Sequence, residues 1–420
     1  MKHRFRKLAI ASTLAAGIVG VVAPAAYAGT YLNTVGSDTT YFVMDALGRS
    51  YNVATLNTNS DVVVSTPPLV SINNADATNK VFPAGSIAPA DANCSTTTIY
   101  ANSTVQAIAG ITGVSGVSVA TPPNGSGAGK TAVLGSGTAG NSCNDVGRSS
   151  SSPGASEAGT TEFWAYALDA VDWVRFAGNA TPSLTKAQLQ SIYVCDATTK
   201  KPAVTDWSSI PGSGLTGPIK RYVAQSSSGT GKFFAKYLTG SETFLNTNCA
   251  DGVTVFANGN TSDTTDYRAI VTQENDNRAI PAADKARAIY YMSYGQWYAQ
   301  SKSVLADLRN GAVLGAIDVS GVLIKPSAAT INTTATRFPA TRYLYNILDT
   351  RNPDYLAALK FVGAGDLDSN AATPATNGWL CSNLGQKTIQ LYGFVPLKRL
   401  ADANTGILSY CVKNAPALGL

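Results

Sequence analysis

Apolar residues along this chain fall into short runs with two different spacings, separated by polar loops rich in glycine, serine and threonine. Residues 30–35 favour a β-strand, residues 36–40 form a small polar loop, and apolar positions resume at helical spacing over residues 41–47. Residues 183–193 predict a helix with a polar N-cap, and residues 354–362 predict another. Further strands are predicted at residues 219–224, 322–324 and 343–347. The pattern therefore predicts a mixed α/β protein.

Two more polar loops lead into helical patterns. Residues 225–230, with the sequence QSSSGT, precede apolar residues at helical spacing, namely Phe233, Phe234, Tyr237 and Leu238. Residues 123–130, with the sequence PNGSGAGK, lead into a helix predicted at residues 131–134. The first N–H groups of a helix have no intrahelical partner, and the helix dipole places partial positive charge there. Such an end attracts an oxyanion, and hydroxyl groups add donors with little bulk.

Each of these loops, taken alone, is also typical of an ordinary helix N-cap. In that interpretation the serine and threonine hydroxyls only satisfy backbone donors, and the glycines only make the loop flexible. Three loops of the same chemistry in one chain give more weight to an anion site. A serine run at residues 149–152 follows Arg148, whose guanidinium offers five donors and a permanent charge; alone, it is typical of a surface turn.

Two apolar stretches predict strands that connect different parts of the fold. Residues 163–176 predict a long strand that crosses from one domain to the next, and residues 288–295 predict a strand that returns. Residues 67–122 are rich in serine, threonine, alanine and asparagine, which indicates an insertion of short strands and loops.

The N-terminus has the arrangement of a secretory signal peptide. Four basic residues precede an apolar run from residue 8 to residue 22, and Ala26-Tyr27-Ala28 then predicts cleavage after Ala28. We therefore expect residues 1–28 to be removed and the mature protein to be secreted. The cleavage site has no cysteine, so a lipid anchor is not indicated. No later stretch is long and apolar enough to predict a membrane span.

The charge of the mature chain excludes some classes of function. Without residues 1–28, 27 basic and 26 acidic residues leave a net charge of +1, which gives no support for a nucleic-acid or anionic-membrane partner. The single histidine, His3, lies in the predicted signal peptide. A mature chain without histidine cannot form a Ser-His-Asp or Cys-His catalytic set, or a zinc site with a histidine ligand.

Six cysteines without a CxxC motif, in a chain predicted to be secreted, indicate three disulfides. Sequence alone leaves fifteen connectivities open. Our prediction is sequential pairing, Cys94 with Cys143, Cys195 with Cys249, and Cys381 with Cys411.

The order of these motifs carries a family resemblance. The most specific positions are Leu184-Thr185, Gln188-Leu189, Ile192, Trp207, Pro218-Ile219, Ser228-Gly229-Thr230, Phe234, Asn275-Asp276 and the closing YGFVPL at residues 392–397. Over most of the mature chain, this sequence resembles the phosphate-binding proteins that serve ABC importers, within the type 2 periplasmic binding-protein superfamily. The resemblance implies two α/β domains joined by crossing strands, with one small ligand in the cleft between them. Domain I would comprise residues 29–168 and 295–420, and domain II residues 169–294.

The resemblance also implies which loops hold the ligand. In that family, loops at helix N-termini from both domains grip an oxyanion. Here Thr40 would give a hydroxyl and Tyr41 a backbone N–H, Ser126 would donate from the second loop, and residues 228–230 from the third. The candidate ligand residues are Asp38, Thr39, Thr40, Tyr41, Ser126, Gly127, Arg148, Ser149, Ser150, Ser228, Gly229 and Thr230.

Two positions depart from the family pattern. Where the family has a Ser-Asp pair, whose aspartate accepts a hydrogen bond from protonated phosphate, this chain has Ser149-Ser150. Where the family has an arginine before the third loop, this chain has Ala224-Gln225. Arg148 is the candidate replacement for the positive charge and Asp38 for the acceptor. A site made only of donors would not favour a protonated oxyanion, so the resemblance does not fix phosphate as the ligand.

We therefore expect a secreted, monomeric solute-binding protein without cofactor or metal, which captures phosphate or a similar small oxyanion for the membrane subunits of an ABC importer. One alternative is a secreted phosphoester hydrolase, which would need metal-bound carboxylates or a Ser-Lys pair, neither present at a convincing spacing. Glu274 and Asp276 could form a general acid–base pair or a cation site, but acidic residues at this position are more typical of a solvated helix start. Another alternative is a surface or matrix protein that keeps the fold without the ligand.

Overall fold

The computed structural model describes residues 30–54, 60–64, 97–100, 117–120, 125–134, 144–154, 157, 159–249, 269–363, 378–397, 400–401, 408–409, 411–413 and 418. The expected signal peptide at residues 1–28 lies outside the described residues, as do Cys94 and Cys143. Of the expected insertion at residues 67–122, two short strands are described. None of the described helices combines the length and the hydrophobicity that crossing a bilayer requires.

Helices and strands alternate along most of the described chain. The helices are α1 (Tyr41–Ala54), α2 (Ser126–Leu134), α3 (Lys186–Tyr193), α4 (Gly229–Thr239), α5 (Tyr294–Ser301), α6 (Ala328–Ile331), α7 (Tyr355–Val362) and α8 (Asn383–Leu391). The strands are β1 (Thr30–Gly36), β2 (Ser60–Val64), β3 (Thr97–Tyr100), β4 (Val117–Ala120), β5 (Val146–Ser149), β6 (Thr161–Arg175), β7 (Leu184–Thr185), β8 (Lys220–Ala224), β9 (Ile270–Thr272), β10 (Ala288–Ser293), β11 (Val313–Leu314), β12 (Ile317–Val319), β13 (Val322–Ile324), β14 (Thr341–Asp349), β15 (Val395–Pro396), β16 (Leu400–Ala401), β17 (Leu408–Ser409) and β18 (Val412–Lys413). The mixed α/β class predicted from the sequence is confirmed.

Most of these strands join one large sheet. Over the described residues it has 11 strands with the central order β2-β1-β5-β14-β6-β10-β8-β9, and β11, β15 and β18 also pair with β6. Strands β2, β1 and β5 are parallel, whereas β14 runs antiparallel to both β5 and β6. Because β1 and β5 are parallel neighbours, their carboxyl ends lie at the same edge of the sheet. The loops that follow these two strands are therefore adjacent.

The long strand β6 connects two groups of strands. Its residues 161–170 pair with β14, and its residues 171–175 pair with β10. The structure thus contains the long strand expected near residues 163–176 and, beside it, the strand expected near residues 288–295. The division into two domains at residues 168/169 and 294/295 stays a prediction.

Successive side chains of β6 face opposite sides of the sheet and enter two hydrophobic clusters. Phe163 and Ala165 belong to one cluster, whereas Trp164 and Tyr166 belong to the other. Because both faces of the strand are covered, 14 of its 15 residues are buried. This double burial explains why β6 shows a nearly continuous apolar run rather than an alternating pattern.

Two helix starts follow the capping pattern that the sequence predicts. Thr185 and Gln188 form a reciprocal capping box at α3: Gln188 N donates to Thr185 Oγ1 over 3.1 Å, and Thr185 N donates to Gln188 Oε1 over 2.8 Å. Ser228 caps α4 by accepting from Gly231 N over 2.9 Å. Helix α4 then ends at Gly240, whose φ of 77° is the left-handed conformation that glycine adopts without strain.

Helix α2 begins earlier than the apolar pattern suggests. The pattern predicts a helix only at residues 131–134, but α2 starts at Ser126. Its first turns consist of small residues, which carry no apolar periodicity. A Cβ on Gly129 would lie 2.6 Å from Gly36 Cα and 2.9 Å from the Val35 carbonyl oxygen. Glycine therefore lets α2 pack closely against the end of β1.

Two of the three expected disulfides are present in the described structure. Cys195 pairs with Cys249, and Cys381 pairs with Cys411. The first links the segment after α3 to the segment after α4. The second links the region just before α8 to the start of β18. The predicted pair of Cys94 and Cys143 lies outside the described residues.

Strand β6 buries the carboxyl group of Asp172. Asp172 is fully buried, and neither of its carboxylate oxygens has a hydrogen-bond partner in the described chain. Burial raises the pKa of the Asp172 carboxyl well above its usual value. Since the folded state holds the proton more tightly than the unfolded state, stability from this group is complete below the unfolded pKa and is lost as the pH rises towards the folded pKa.

We expect Asp172→Asn to remove this pH dependence. Relative to wild type, the variant should gain little stability near pH 4, and the gain should grow with pH by up to about 1.4 kcal/mol per unit towards neutrality. Urea unfolding between pH 4 and 7 measures the difference, with exposed Asp307→Asn as the matched control. A gain in stability that does not change with pH would contradict the prediction.

Candidate functional site

Hydroxyl groups from four separate segments meet in the interior of the protein. They come from the loop after β1, the first residue of α2, the loop after β5 and the first turn of α4. We term these side chains the hydroxyl cluster, and its members are Ser37, Thr39, Ser126, Ser150 and Thr230. Each of the five residues is at most 2% exposed. Buried hydroxyl groups need hydrogen-bond partners, and here they find them in one another.

Three serines form one side of the hydroxyl cluster. Ser37 Oγ donates to Ser150 Oγ over 3.0 Å. Ser150 N donates to Ser126 Oγ over 2.9 Å, and the hydroxyl oxygens of Ser126 and Ser150 lie 3.3 Å apart. Because β1 and β5 are parallel neighbours, the loops that carry Ser37 and Ser150 necessarily lie side by side.

Two threonines and one glutamate form the other side. The hydroxyl oxygens of Thr39 and Thr230 lie 2.8 Å apart. Both hydroxyls also lie within hydrogen-bond distance of Glu274 Oε1, at 2.6 Å in the case of Thr230. These contacts link the loop after β1 directly to the first turn of α4 and to the turn after β9.

Gly229 brings the start of α4 against the serine side. A Cβ at this position would lie 2.2 Å from both Ser126 Oγ and Ser150 Oγ. No other residue type could pack so closely, because any side chain would begin with that atom. The backbone of α4 therefore takes part in the hydroxyl cluster directly.

Arg342, on β14, joins the two sides of the hydroxyl cluster. Its guanidinium donates to the Ser150 carbonyl oxygen over 3.1 Å and to Thr230 Oγ1 over 2.7 Å. It also donates to Asp169 Oδ2 over 2.9 Å, and both members of this ion pair are buried. Asp169 Oδ1 accepts from Gly295 N over 3.0 Å. Arg342 was not predicted as a site residue, because the strand pattern around it contains no signal of this role.

Arg148, in contrast, is engaged by the backbone of the first loop. Its guanidinium donates to the carbonyl oxygens of Thr34, Gly36 and Ser37 over 2.6, 3.3 and 3.4 Å. It also stacks on the ring of Tyr41, with 5.4 Å between the guanidinium carbon and the ring centroid. Burial lowers the pKa of Arg148 to about 10. These contacts give Arg148 a structural role, because they hold the segment that presents Ser37 and Thr39; its expected ligand role stays a prediction.

In the first loop, Thr39 takes the position expected for Thr40, and the Tyr41 N–H bonds within the loop. Thr40 Oγ1 donates to the Ser37 carbonyl oxygen over 3.3 Å, so Thr39 is the threonine that reaches the hydroxyl cluster. Tyr41 N–H donates to the Asp38 carbonyl oxygen and closes a 3₁₀ turn. The Asp38 carboxylate accepts a hydrogen bond from Gln273. The 3₁₀ turn thus uses the N–H that was expected to face the ligand.

Three other predicted ligand residues, Gly127, Ser149 and Ser228, contact groups outside the hydroxyl cluster. Ser149 Oγ donates to the Ser151 carbonyl oxygen over 2.8 Å. Ser228 Oγ is the α4 cap already described. Gly127 lies close to α4, since a Cβ there would be 2.9 Å from Lys232 Nζ. Of the twelve predicted ligand residues, the structure brings together Thr39, Ser126, Ser150, Gly229 and Thr230.

Glu274 places a carboxylate inside this array of donors. The residue is 4% exposed, whereas the sequence pattern favoured a solvated helix start. Its backbone N donates to Gln225 Oε1 over 2.9 Å, which ties the turn after β9 to the loop before α4. The burial depends on this non-local contact, which acidic residues in a short polar segment do not reveal.

The chemistry of the site favours recognition of a small anion. Neutral hydroxyls can turn to donate, the guanidinium adds a charged donor, and the starts of α2 and α4 add unpaired backbone N–H groups. In the described part of the chain, no three or more histidine, cysteine, aspartate or glutamate side chains are arranged so that they could hold a metal ion.

Solved structures with a similar fold were found. One is an ABC-type phosphate transport receptor from Vibrio cholerae, with 16% identity, a TM-score of 0.46, and coverage of 87% of this chain and 99% of that chain. Another is a putative phosphate ABC transporter substrate-binding protein from Clostridium perfringens, with 13% identity, a TM-score of 0.48, and coverage of 88% and 100%. A third is PstS from Borrelia burgdorferi, with 14% identity, a TM-score of 0.41, and coverage of 87% and 98%.

Sequence comparison gives a family but no individual relative. No curated protein matches the chain. A family model described as a PBP superfamily domain matches residues 86–363, about two thirds of the chain. This range includes Ser126, Ser150, Thr230 and Arg342 of the site. The chain therefore belongs to the PBP superfamily.

Proposed function

We propose that the protein is a solute-binding protein that holds phosphate or a similar small tetrahedral oxyanion at the hydroxyl cluster. The observation that carries the proposal is the convergence of five buried hydroxyl groups from four segments, each within hydrogen-bond distance of another. Membership of the PBP superfamily supports binding rather than catalysis. The resemblance of the motifs to phosphate-binding proteins of ABC importers supports phosphate as the first ligand to test.

The chemistry of desolvation explains why this site suits an oxyanion. An anion that leaves water must recover its hydrogen bonds from the protein, or the cost of burial prevents binding. Hydroxyls that now bond to one another can rotate towards a guest at little cost. The N–H groups of Gly229 and Thr230 open α4 and have no intrahelical acceptor, so they add donors at the positive end of the helix dipole.

Arg342 would supply the positive charge of the site. It already donates to Thr230 Oγ1, and Asp169 fixes the orientation of its guanidinium. In this proposal it takes the place that the sequence analysis gave to Arg148. Hydrogen bonds from a charged group are stronger than those between neutral groups, so a single well-oriented guanidinium would contribute strongly to anion binding.

Binding would involve movement of the two proposed domains. Ser37, Thr39, Ser126 and Ser150 belong to proposed domain I, and Thr230 to proposed domain II. Because these groups touch one another directly, an anion would enter by separating them and would be enclosed when they return. Strand β6 crosses the proposed boundary, and its neighbour β10 ends just before the second boundary position; these two strands are the candidate hinge. We also propose that the protein is secreted after cleavage at Ala28, is monomeric, and delivers its ligand to an ABC importer.

Thr230→Val tests the site at one hydroxyl. In isothermal titration calorimetry we expect wild type to bind phosphate or arsenate, and the variant to bind about 10- to 100-fold more weakly. The reason is that a hydrogen bond to a charged group contributes about 1.5–3 kcal/mol. Thr198→Val makes the same change at an exposed position and should leave the affinity unchanged. If phosphate, sulfate and arsenate all gave no binding to wild type, the proposed function would be wrong.

Gly229→Ala tests whether close contact between the segments is needed. The added methyl would collide with Ser126 Oγ and Ser150 Oγ, so the start of α4 could not close on them. We expect the anion affinity to fall about tenfold or more, and the free energy of unfolding to fall by no more than the roughly 1–3 kcal/mol that overpacking costs. Gly159→Ala adds the same group where no atom lies within 4 Å and serves as the control. An unchanged affinity in Gly229→Ala would show that the contact is irrelevant to binding.

A further inference from the structure

A small cavity adjoins the hydroxyl cluster on the side of Glu274. Its volume is about 40 Å³, more than the roughly 10–15 Å³ that one water molecule needs on the same measure. Three carboxylates line it, Asp38, Glu274 and Asp276, and the other polar residues of the lining are Tyr41 and the amides Gln273, Asn275, Gln296 and Gln300. No lysine or arginine lines it. The cavity therefore has the opposite electrostatic character to the donor array beside it.

Glu274 belongs to both the hydroxyl cluster and the cavity. Its Oε1 accepts from Thr39 and Thr230, whereas its Oε2 is buried and has no hydrogen-bond partner among the described residues. A buried carboxylate oxygen without a partner is costly, so it calls for a donor that a ligand could bring. Glu274 also lines the cavity, so a ligand group that occupies the cavity lies beside this carboxylate and could supply the donor.

The charges around Glu274 are not balanced by the protein. Arg342 pairs with Asp169, and Arg278 pairs with Asp276 over 2.7 Å. No basic side chain in the described segments forms an ion pair with Glu274. A fully deprotonated oxyanion at the hydroxyl cluster would be repelled by this carboxylate, and a protonated one could offer it a single O–H donor but no positive charge. A ligand with a cationic group would turn the same carboxylate into an attractive contact.

We propose that the ligand is a zwitterion, a small phosphonate or phosphate monoester that carries a primary ammonium group on a short carbon linker. The oxyanion lies among Thr39, Thr230 and the other hydroxyls, and the ammonium lies in the cavity and donates to Glu274 Oε2. A short linker suffices because the two oxygens of a single carboxylate separate the two subsites. This inference rests on the proposed function and adds the chemical class of the ligand.

The experiment compares three ligands by isothermal titration calorimetry on the full mature chain. These are 2-aminoethylphosphonate, ethylphosphonate, which has the same oxyanion and linker without the amine, and inorganic phosphate. We expect 2-aminoethylphosphonate to bind about 10- to 100-fold more tightly than ethylphosphonate, as a charge-assisted hydrogen bond implies. In Glu274→Gln that preference should fall to about onefold, because the carboxylate that selects the ammonium is gone.

A control variant and the combination of results distinguish a failure of this inference from a failure of the proposed function. Glu242→Gln changes a glutamate outside the cavity and should keep the full preference for the amine. If phosphate or ethylphosphonate binds but the amine gives no gain, the inference is overturned and the proposed function stands. If no oxyanion binds, both are overturned. A preference that survives in Glu274→Gln, with the variant still folded by circular dichroism, would also contradict the role of Glu274.

Discussion

The buried ion pair between Arg342 and Asp169 holds the candidate site together. Asp169 lies on β6, Arg342 lies opposite it on β14, and the other carboxylate oxygen of Asp169 accepts from Gly295 N in α5. From this anchor the guanidinium reaches the Ser150 carbonyl and the Thr230 hydroxyl. A buried ion pair is favourable only when its remaining donors and acceptors are satisfied, and here they are satisfied by the site itself. The same contacts therefore stabilise the fold and position the donors.

A second arginine shows how the fold prepares the site without touching it. Arg148 donates to backbone carbonyls at the end of β1 and at Ser37, so the loop that presents Ser37 and Thr39 is held where it leaves the strand. Glycine at position 229 complements this rigidity by allowing the start of α4 to approach to contact distance. Pre-oriented donors bind an anion more tightly than mobile ones, because less conformational entropy is lost on binding.

Local features of the site could be predicted from the sequence, whereas its long-range contacts could not. The polar loops and the long apolar strand depend on residues close together in the chain and were expected, whereas the Ser228 cap matches the N-cap alternative for its loop. Arg342 meets Asp169 only through the register of β14 against β6, and a shift by one residue would turn Arg342 to the other face. Glu274 is buried only because the turn after β9 packs against the loop before α4. Neither contact can be derived from composition or periodicity, so the sequence pointed to Arg148 and Asp38, whereas the proposed site uses Arg342 and Glu274.

In the proposed function, hydroxyls from distant segments that are now bonded to one another separate and surround one anion. A crystal structure of the protein grown with arsenate, with the anomalous signal of arsenic located, would show this arrangement. We expect a single arsenic peak between Ser150 and Thr230, with Thr39, Ser126, Arg342 and the start of α4 donating to the oxygens. Arsenic bound elsewhere, with the contacts between Ser37 and Ser150 and between Thr39 and Thr230 intact, would contradict it.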